Sequence, residues 1–355
     1  MLLYSGLAQH QQRQRPVKYR NLEATDLELS EVGFGVWSVS TTWWGGMEPD
    51  GAVRLLQQAA DLGITFFDTS DVYGDGYGEE ILPRALAARR NELVYGTKFG
   101  YDLEAPRQPG QHTERPQNWS PDFVRSACES SLRRLQTDYI DLYQLHNPRL
   151  KTIESDELFE VLDALVSEGK IRHYAVAVGP DIGWREEGEF TIASRKAPAQ
   201  IIYSILEQDP ANDFIDLAAE HRVGLFSRVP HASGMLDGTY AKDTNLEEFP
   251  FDPSDHRAYR KMEWLKKSIT KLGMLDFLLR DKAATVGQIA IKFCLTPEPI
   301  ASVLPTITTP QELEEYAAAP EIDPLPADEL ERLAELYADN FGLGEKDPLK
   351  SSVAS

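Results

Sequence analysis

Cysteine is nearly absent from this chain: Cys128 and Cys294 are the only two in 355 residues. Their scarcity excludes a disulfide-dense secreted scaffold and a cysteine-built zinc site, and fits two free thiols in a reducing cytoplasm. Basic residues are also in deficit, 36 Lys and Arg against 57 Asp and Glu, for a formal net charge of −21. A protein of that sign repels nucleic acid and anionic membrane surfaces, so neither is an expected partner. No stretch approaches the roughly 20 apolar residues that span a bilayer. The Gln- and Arg-rich residues 1–16 lack the apolar run of a secretory signal and read as a disordered leader. Residues 341–355 read as a flexible tail. The chain as a whole is 42% apolar and 26% charged, which suffices for a sizeable core.

Short β-branched and aromatic runs alternate with stretches of helical period, the pattern of repeated βα units around a parallel sheet. Eight strands are expected, at residues 32–36, 64–68, 93–98, 140–145, 171–176, 200–203, 223–227 and 301–304, each apolar enough for burial on both faces. Helices are expected near 50–62, 79–90, 122–135, 156–168, 211–221, 285–295 and 311–318. Ser120, Asp209 and Thr309 each precede a proline, which places a capping side chain ahead of a proline at the first helical position. Residues 179–198 lack a clean period, because Gly183, Gly188 and the REEGE run interrupt it, so a short or irregular helix is expected there. Eight strands with surrounding helices favour an α/β fold, a closed (β/α)₈ or TIM barrel, over an open doubly wound sheet. Residues 17–31 alternate apolar and polar around Ala24, Thr25 and Asp26, as an N-terminal β-hairpin plugging the barrel bottom would. Long insertions at 101–119 and 232–283 follow the third and seventh strands, where a barrel carries its substrate loops. They are expected to form a lid or pocket wall. Nothing divides residues 17–340, which read as one barrel domain.

The GDGYGEE run from Gly74 to Glu80 follows a strand and opens a helix, as phosphate loops do. Its spacing is neither GxGxxG nor GxxxxGK(S/T), and Glu79 and Glu80 in the first turn would repel a phosphate. Its glycines read as turn residues. The strand ends are more informative. Asp68 closes the second strand, Lys98 closes the third, His146 follows the fourth, and Tyr73 lies in the loop after Asp68. A barrel converges such positions on its C-terminal mouth. Singly, each has a plain explanation as cap, surface charge, loop histidine or packing phenol; together, on three adjacent strands, they point to one site. Tyrosine, with an unperturbed pKa of about 10, is protonated at neutral pH and able to act as a general acid. A lysine ammonium beside it stabilises phenolate and is expected to lower that pKa, while Asp68 holds the lysine charged and oriented. His146 is placed to hydrogen-bond a substrate carbonyl. Such a set donates a proton to an oxyanion as it forms, and contains no nucleophile–base pair for acyl transfer.

These segments resemble the aldo-keto reductase superfamily. FFDTSDVYG (66–74) is similar to its Asp-x4-Tyr-Gly signature, GTKFG (96–100) to its lysine strand and YQLHNP (143–148) to its histidine strand, within an ordered resemblance over residues 17–340. The resemblance implies a cytoplasmic (β/α)₈ barrel that reduces a small-molecule aldehyde or ketone with NAD(P)H, without metal or flavin. It implies Tyr73 as proton donor, Lys98 and Asp68 as its tuners, and His146 as the residue orienting the carbonyl. The other reading is a nicotinamide-binding redox sensor or regulatory barrel with little turnover, motivated by altered ring contacts.

For the cofactor, the resemblance implies contacts from Gly35 and Trp37 at the first-strand turn, from Asp68, and from Gln200 to the nicotinamide carboxamide. The family's Ser-Asn pair after the fifth strand is Ala177-Val178 here, which removes two side-chain hydrogen bonds to that carboxamide. Arg228 stands where an aromatic residue usually stacks on the ring; a guanidinium there repels the oxidised pyridinium and relatively favours the reduced ring. The segment 230–236, with Pro230, Ser233, Gly234 and Leu236, resembles the loop over the pyrophosphate. After the eighth strand many members carry basic residues, whereas this chain has Thr306, Thr308, Glu312 and Glu315, and no Lys or Arg between Lys292 and Arg332. A 2′-phosphate would meet hydroxyls and carboxylates, so NADH is expected to serve at least as well as NADPH. Thr309 and Glu312 also form a capping-box sequence that serves the following helix. Lys242, in the second insertion, is the alternative source of a cation. Trp43, Trp44 and Trp119 read equally as aromatic walls for a substrate or as packing.

Overall fold

The expected apolar runs pair side by side in chain order in a computed structural model that describes residues 17–42, 45–105, 115–179, 184–241, 243–245, 262–280 and 282–344. The expected leader, Trp43, Trp44, Lys242 and the tail beyond residue 344 lie outside these residues. Strands β1 (Tyr19–Asn21) and β2 (Glu28–Ser30) form an antiparallel hairpin. The eight expected barrel strands follow as β3 (Phe34–Gly35), β4 (Phe66–Asp68), β5 (Val94–Phe99), β6 (Ile140–His146), β7 (Ile171–Ala177), β8 (Ala199–Ile202), β9 (Leu225–Arg228) and β10 (Ile300–Leu304). They form one parallel sheet in sequential order. Its edges meet: Val32 bridges Val303, the Gly33 amide donates to the Val303 carbonyl at 2.9 Å, and the Val303 amide donates to the Glu31 carbonyl at 2.8 Å. The result is a closed (β/α)₈ barrel.

The period-two alternation of each strand divides the core into two layers. Phe66, Val94, Leu142, Ala175, Phe226 and Leu304 belong to the inner layer, together with Leu22, Leu27 and Leu29 of the hairpin, which plugs one end as expected. Phe67, Tyr95, Tyr143, Val176, Ile201 and Leu225 belong to the layer packed under the helices. Arg20 ties the plug down by donating to the carbonyls of Leu295 (2.9 Å) and Ile300 (3.0 Å). At Gly224, whose amide donates to the Glu23 carbonyl, any Cβ would fall 2.6 Å from the Glu23 nitrogen, so the plug seats only against glycine.

Helices occupy all seven expected positions. Two expected caps need correction. Ser120 stands at the N-cap of Pro121–Leu135, but its hydroxyl donates to Asn118 Oδ1 (2.9 Å) instead of capping. Asp209 does not cap Ala211–His221, because Pro210 itself occupies the N-cap position. Thr309 does cap, in a complete capping box with Glu312. The irregular region resolves into a short helix, Arg185–Phe190, that widens into a π turn at Thr191–Arg195. The second insertion holds helices Met262–Gly273 and Asp276–Leu279, and a further helix, Ala327–Ala338, packs Leu333 into the core with Phe341 just beyond it. Among the described residues, no helix is long and apolar enough to cross a membrane.

Candidate active site

Inward-facing positions at the C-terminal strand ends bring the chemical residues together. Strand register sets Asp68 beside Gly96, Lys98 beside Gln144, His146 beside Ala177, and Ala177 beside Gln200. Gly96 keeps the Asp68–Gln144 contact open: a Cβ there would lie 3.2 Å from Gln144 Nε2 and 3.4 Å from Asp68 Oδ1.

Lys98 and Asp68 are wholly buried and joined at 2.6 Å. The three ammonium protons of Lys98 are all used, toward Asp68 Oδ2 (2.6 Å), the Thr69 carbonyl (2.7 Å) and, more weakly, the Tyr73 hydroxyl (3.4 Å). Gln144 Nε2 donates to the second Asp68 oxygen at 2.7 Å. A fixed charge pair therefore stands behind the phenol. Tyr73 arrives on a loop that turns through Gly74 at φ +59°, where a Cβ would sit 2.6 Å from the Ser40 carbonyl. The edge-on rings of Trp37 (6.4 Å between centroids) and His146 (6.1 Å) flank it.

Contrary to the sequence-based expectation, Tyr73 titrates above the usual tyrosine range. Burial raises it; Lys98 and Arg228 pull it down, while the Asp68 carboxylate offsets part of the Lys98 field. The phenol is thus fully protonated at neutral pH, the state a proton donor requires. His146 lies well below the usual histidine range, first from burial and then from the Lys98 and Arg228 charges, so its imidazole is neutral. Its Nδ1 lies 3.1 Å from Ser70 Oγ.

The first insertion supplies a wall. Tyr101 bridges Gln117 at its base, and Gln117 Nε2 donates to the carbonyls of His146 and Asn147, both at 2.9 Å. Tyr101 stacks its edge against His146 (5.1 Å) and accepts from Asn147 Nδ2 (3.0 Å). Trp119 packs on Phe99 and over Gly100, so the structure places it in packing at the base of this wall. Gln144, Ser70, Tyr101, Gln117 and Asn147 are site residues that sequence reasoning missed. For Gln144 a signal existed, since two residues before His146 on a strand is the same face.

The residues expected to hold a cofactor fall into two groups. Near the chemical cluster, Gln200 is fully buried and neither atom of its amide has a hydrogen-bond partner among the described residues. Ala177 and Val178 are buried beside it, and Arg228 donates to the Val178 carbonyl at 2.8 Å. The Trp37 ring lies against Gly35, where a Cβ would come within 2.2 Å of it. The second group lies around the 230–236 loop, which is buried throughout and left-handed at Ala232, Ser233 and Gly234. His231 in this loop packs at a tilt against the Tyr316 ring (4.5 Å between centroids), and burial lowers its pKa to about 4. Glu312 Oε2 accepts from the Thr308 amide (2.7 Å), the Thr308 hydroxyl (2.9 Å) and the Thr309 amide (2.9 Å). Glu315 accepts from the Thr285 hydroxyl. Thr306 is half-buried in the same connection.

Residues 31–338 match the Aldo/keto reductase family. The chain belongs to the aldo/keto reductase family. It is 28% identical over 324 residues to an uncharacterized oxidoreductase, YqkF, of Bacillus subtilis (strain 168), covering 89% of this chain and 95% of that protein. It is also 28% identical, over 318 residues, to the NADH-specific methylglyoxal reductase of Escherichia coli (strain K12), covering 86% and 94%. Among solved structures it resembles a glycerol dehydrogenase from Gluconobacter oxydans with a TM-score of 0.75 and 25% identity, covering 95% of this chain and 99% of the other. This aldo/keto reductase is accordingly an oxidoreductase of carbonyl and alcohol groups.

Proposed function

We propose that this aldo/keto reductase reduces a small-molecule aldehyde or ketone to an alcohol, with Tyr73 donating the proton, and that NADH serves it at least as well as NADPH. The observation that carries this reading is the Tyr73 hydroxyl accepting from Lys98 inside a sealed Asp68–Lys98–Gln144 cluster. As acceptor from Lys98, the hydroxyl keeps its own proton. When a substrate oxygen gains charge, Tyr73 passes that proton to it, and the Lys98 ammonium stabilises the phenolate left behind. Asp68 and Gln144 hold Lys98 still, so this stabilisation needs no reorganisation. His146, neutral and beside the phenol, orients the same oxygen. Bound reduced nicotinamide supplies the hydride.

The residues present fit the ring end of that cofactor, because a carboxamide has both the donor and the acceptor that the buried Gln200 amide lacks. A Gln200→Leu variant is therefore expected to bind NADH about tenfold more weakly, by fluorescence titration, while matching or exceeding the parent in stability, since it removes two orphaned polar atoms. Unchanged affinity would remove Gln200 from the cofactor site.

The NADH preference rests on the stretch from Thr306 to Glu315, which carries three carboxylates (Glu312, Glu314 and Glu315) and no cation. Steady-state rates with both cofactors over a panel of small aldehydes and ketones test both parts of the reading. NADH giving kcat/KM at least equal to NADPH is expected; a strong NADPH preference overturns that part. Cofactor binding without oxidation across the panel overturns the reductase reading in favour of a sensor.

A further inference from the structure

We propose that Ser70 and Asp71 decide which nitrogen of His146 carries its proton, making Nε2–H the donor, and so act as positioning residues for the carbonyl. The inference rests on the reading of His146 given above. Ser70 is wholly buried and Asp71 is 2% exposed. The Ser70 oxygen lies 3.1 Å from His146 Nδ1 and 3.2 Å from Asp71 Oδ1, and also receives the Val72 amide at 3.4 Å.

A serine hydroxyl has one proton and two lone pairs. With the Val72 amide on one lone pair, two arrangements remain. If Asp71 is ionised, Ser70 must donate to it; the imidazole must then donate from Nδ1, leaving Nε2 bare. If Asp71 is protonated, it donates to Ser70, Ser70 donates to Nδ1, and Nε2 carries the imidazole proton. Both arrangements fill every position on the Ser70 oxygen, but only the second gives His146 a donor for a substrate oxygen.

The surroundings of Asp71 favour the second. Glu79 faces it from the helix Tyr77–Leu86, but Arg134, from the helix Pro121–Leu135, is spent on Glu79 Oε2 at 2.6 Å. The Thr97 hydroxyl of β5 takes the other Glu79 oxygen, also at 2.6 Å. Tyr143 of β6 is a neutral phenol, and the Lys98 carbonyl of β5 accepts the Asp71 amide at 3.2 Å. Among the described residues Asp71 thus meets a carboxylate and forms no ion pair of its own. Burial first, then Glu79, hold its carboxyl well above the usual carboxylate range, against Arg134 and Ser70. His146 makes no other hydrogen bond through its ring among the described residues, so the Ser70 contact alone selects its tautomer.

Nitrogen-15 NMR of the full chain labelled at histidine reads the tautomer directly, with His146 assigned from His146→Gln. The parent is expected to show Nε2 protonated and Nδ1 bare at pH 7. Asp71→Asn should keep that signature, because an amide N–H replaces the carboxyl proton, and should hold it to higher pH than the parent. Ser70→Ala should move both nitrogen shifts toward a tautomer mixture and lower kcat about tenfold, with KM changing less. A parent proton on Nδ1, a reversed tautomer in Asp71→Asn, or unmoved shifts in Ser70→Ala would each overturn the proposal. The readout needs no turnover, so its failure is distinguishable from failure of the Tyr73 reading, which the activity of Tyr73→Phe decides.

Discussion

Tyr73→Phe is expected to lower kcat for carbonyl reduction by about 10²–10⁴-fold, the usual worth of a positioned general acid, with little change in NADH affinity. The substitution removes one oxygen and leaves the ring packed between Trp37 and His146. Lys98 loses only its longest hydrogen bond and keeps Asp68 and the Thr69 carbonyl. The fold should therefore stand, and the lost rate should report proton donation. Single-turnover oxidation of bound NADH checks it. A variant as fast as the parent would show that the proton comes from elsewhere.

Removing the charge behind the phenol has a larger structural consequence. In Lys98→Met the Asp68 carboxylate stays fully buried with Gln144 as its remaining partner, and the Thr69 carbonyl loses a donor. Breaking one side of a buried pair costs about 3–5 kcal/mol, because the other charge is left uncompensated. Urea unfolding should show that loss, and reduction should fall with it, since the phenolate then loses its neighbouring ammonium. The double variant Asp68→Asn with Lys98→Met should recover much of the stability but none of the rate. A Lys98→Met protein with the parent's unfolding midpoint would mean that the pair is not sealed from water.

These two expectations separate what was legible in the sequence from what was not. Asp68, Tyr73, Lys98 and His146 could be placed in one site because strand period and barrel topology fix where strand ends point, and three of the four lie on adjacent strands. Barrel closure could be expected from the strand count, and the hairpin plug from its alternation. The direction of the Tyr73 shift could not, because it depends on how deeply the phenol is buried and on Asp68 offsetting Lys98, neither of which spacing encodes. The link from Ser70 to His146 shows only in the structure, where Nδ1 of a histidine 76 positions away lies beside the Ser70 hydroxyl. Capping also misled at Asp209, where proline took the cap position itself. The helix Ala327–Ala338 was missed although its Leu330, Leu333 and Tyr337 recur at helical spacing.

The central claim is that phenol, ammonium, carboxylate and imidazole act on one substrate oxygen. A crystal structure of the protein with NADH and a carbonyl-bearing inhibitor tests it most directly. The account predicts the inhibitor oxygen within hydrogen-bond reach of both the Tyr73 hydroxyl and His146 Nε2, with Lys98 still bonded to Asp68. An inhibitor oxygen held by other groups, with the Tyr73 hydroxyl out of reach, would contradict it.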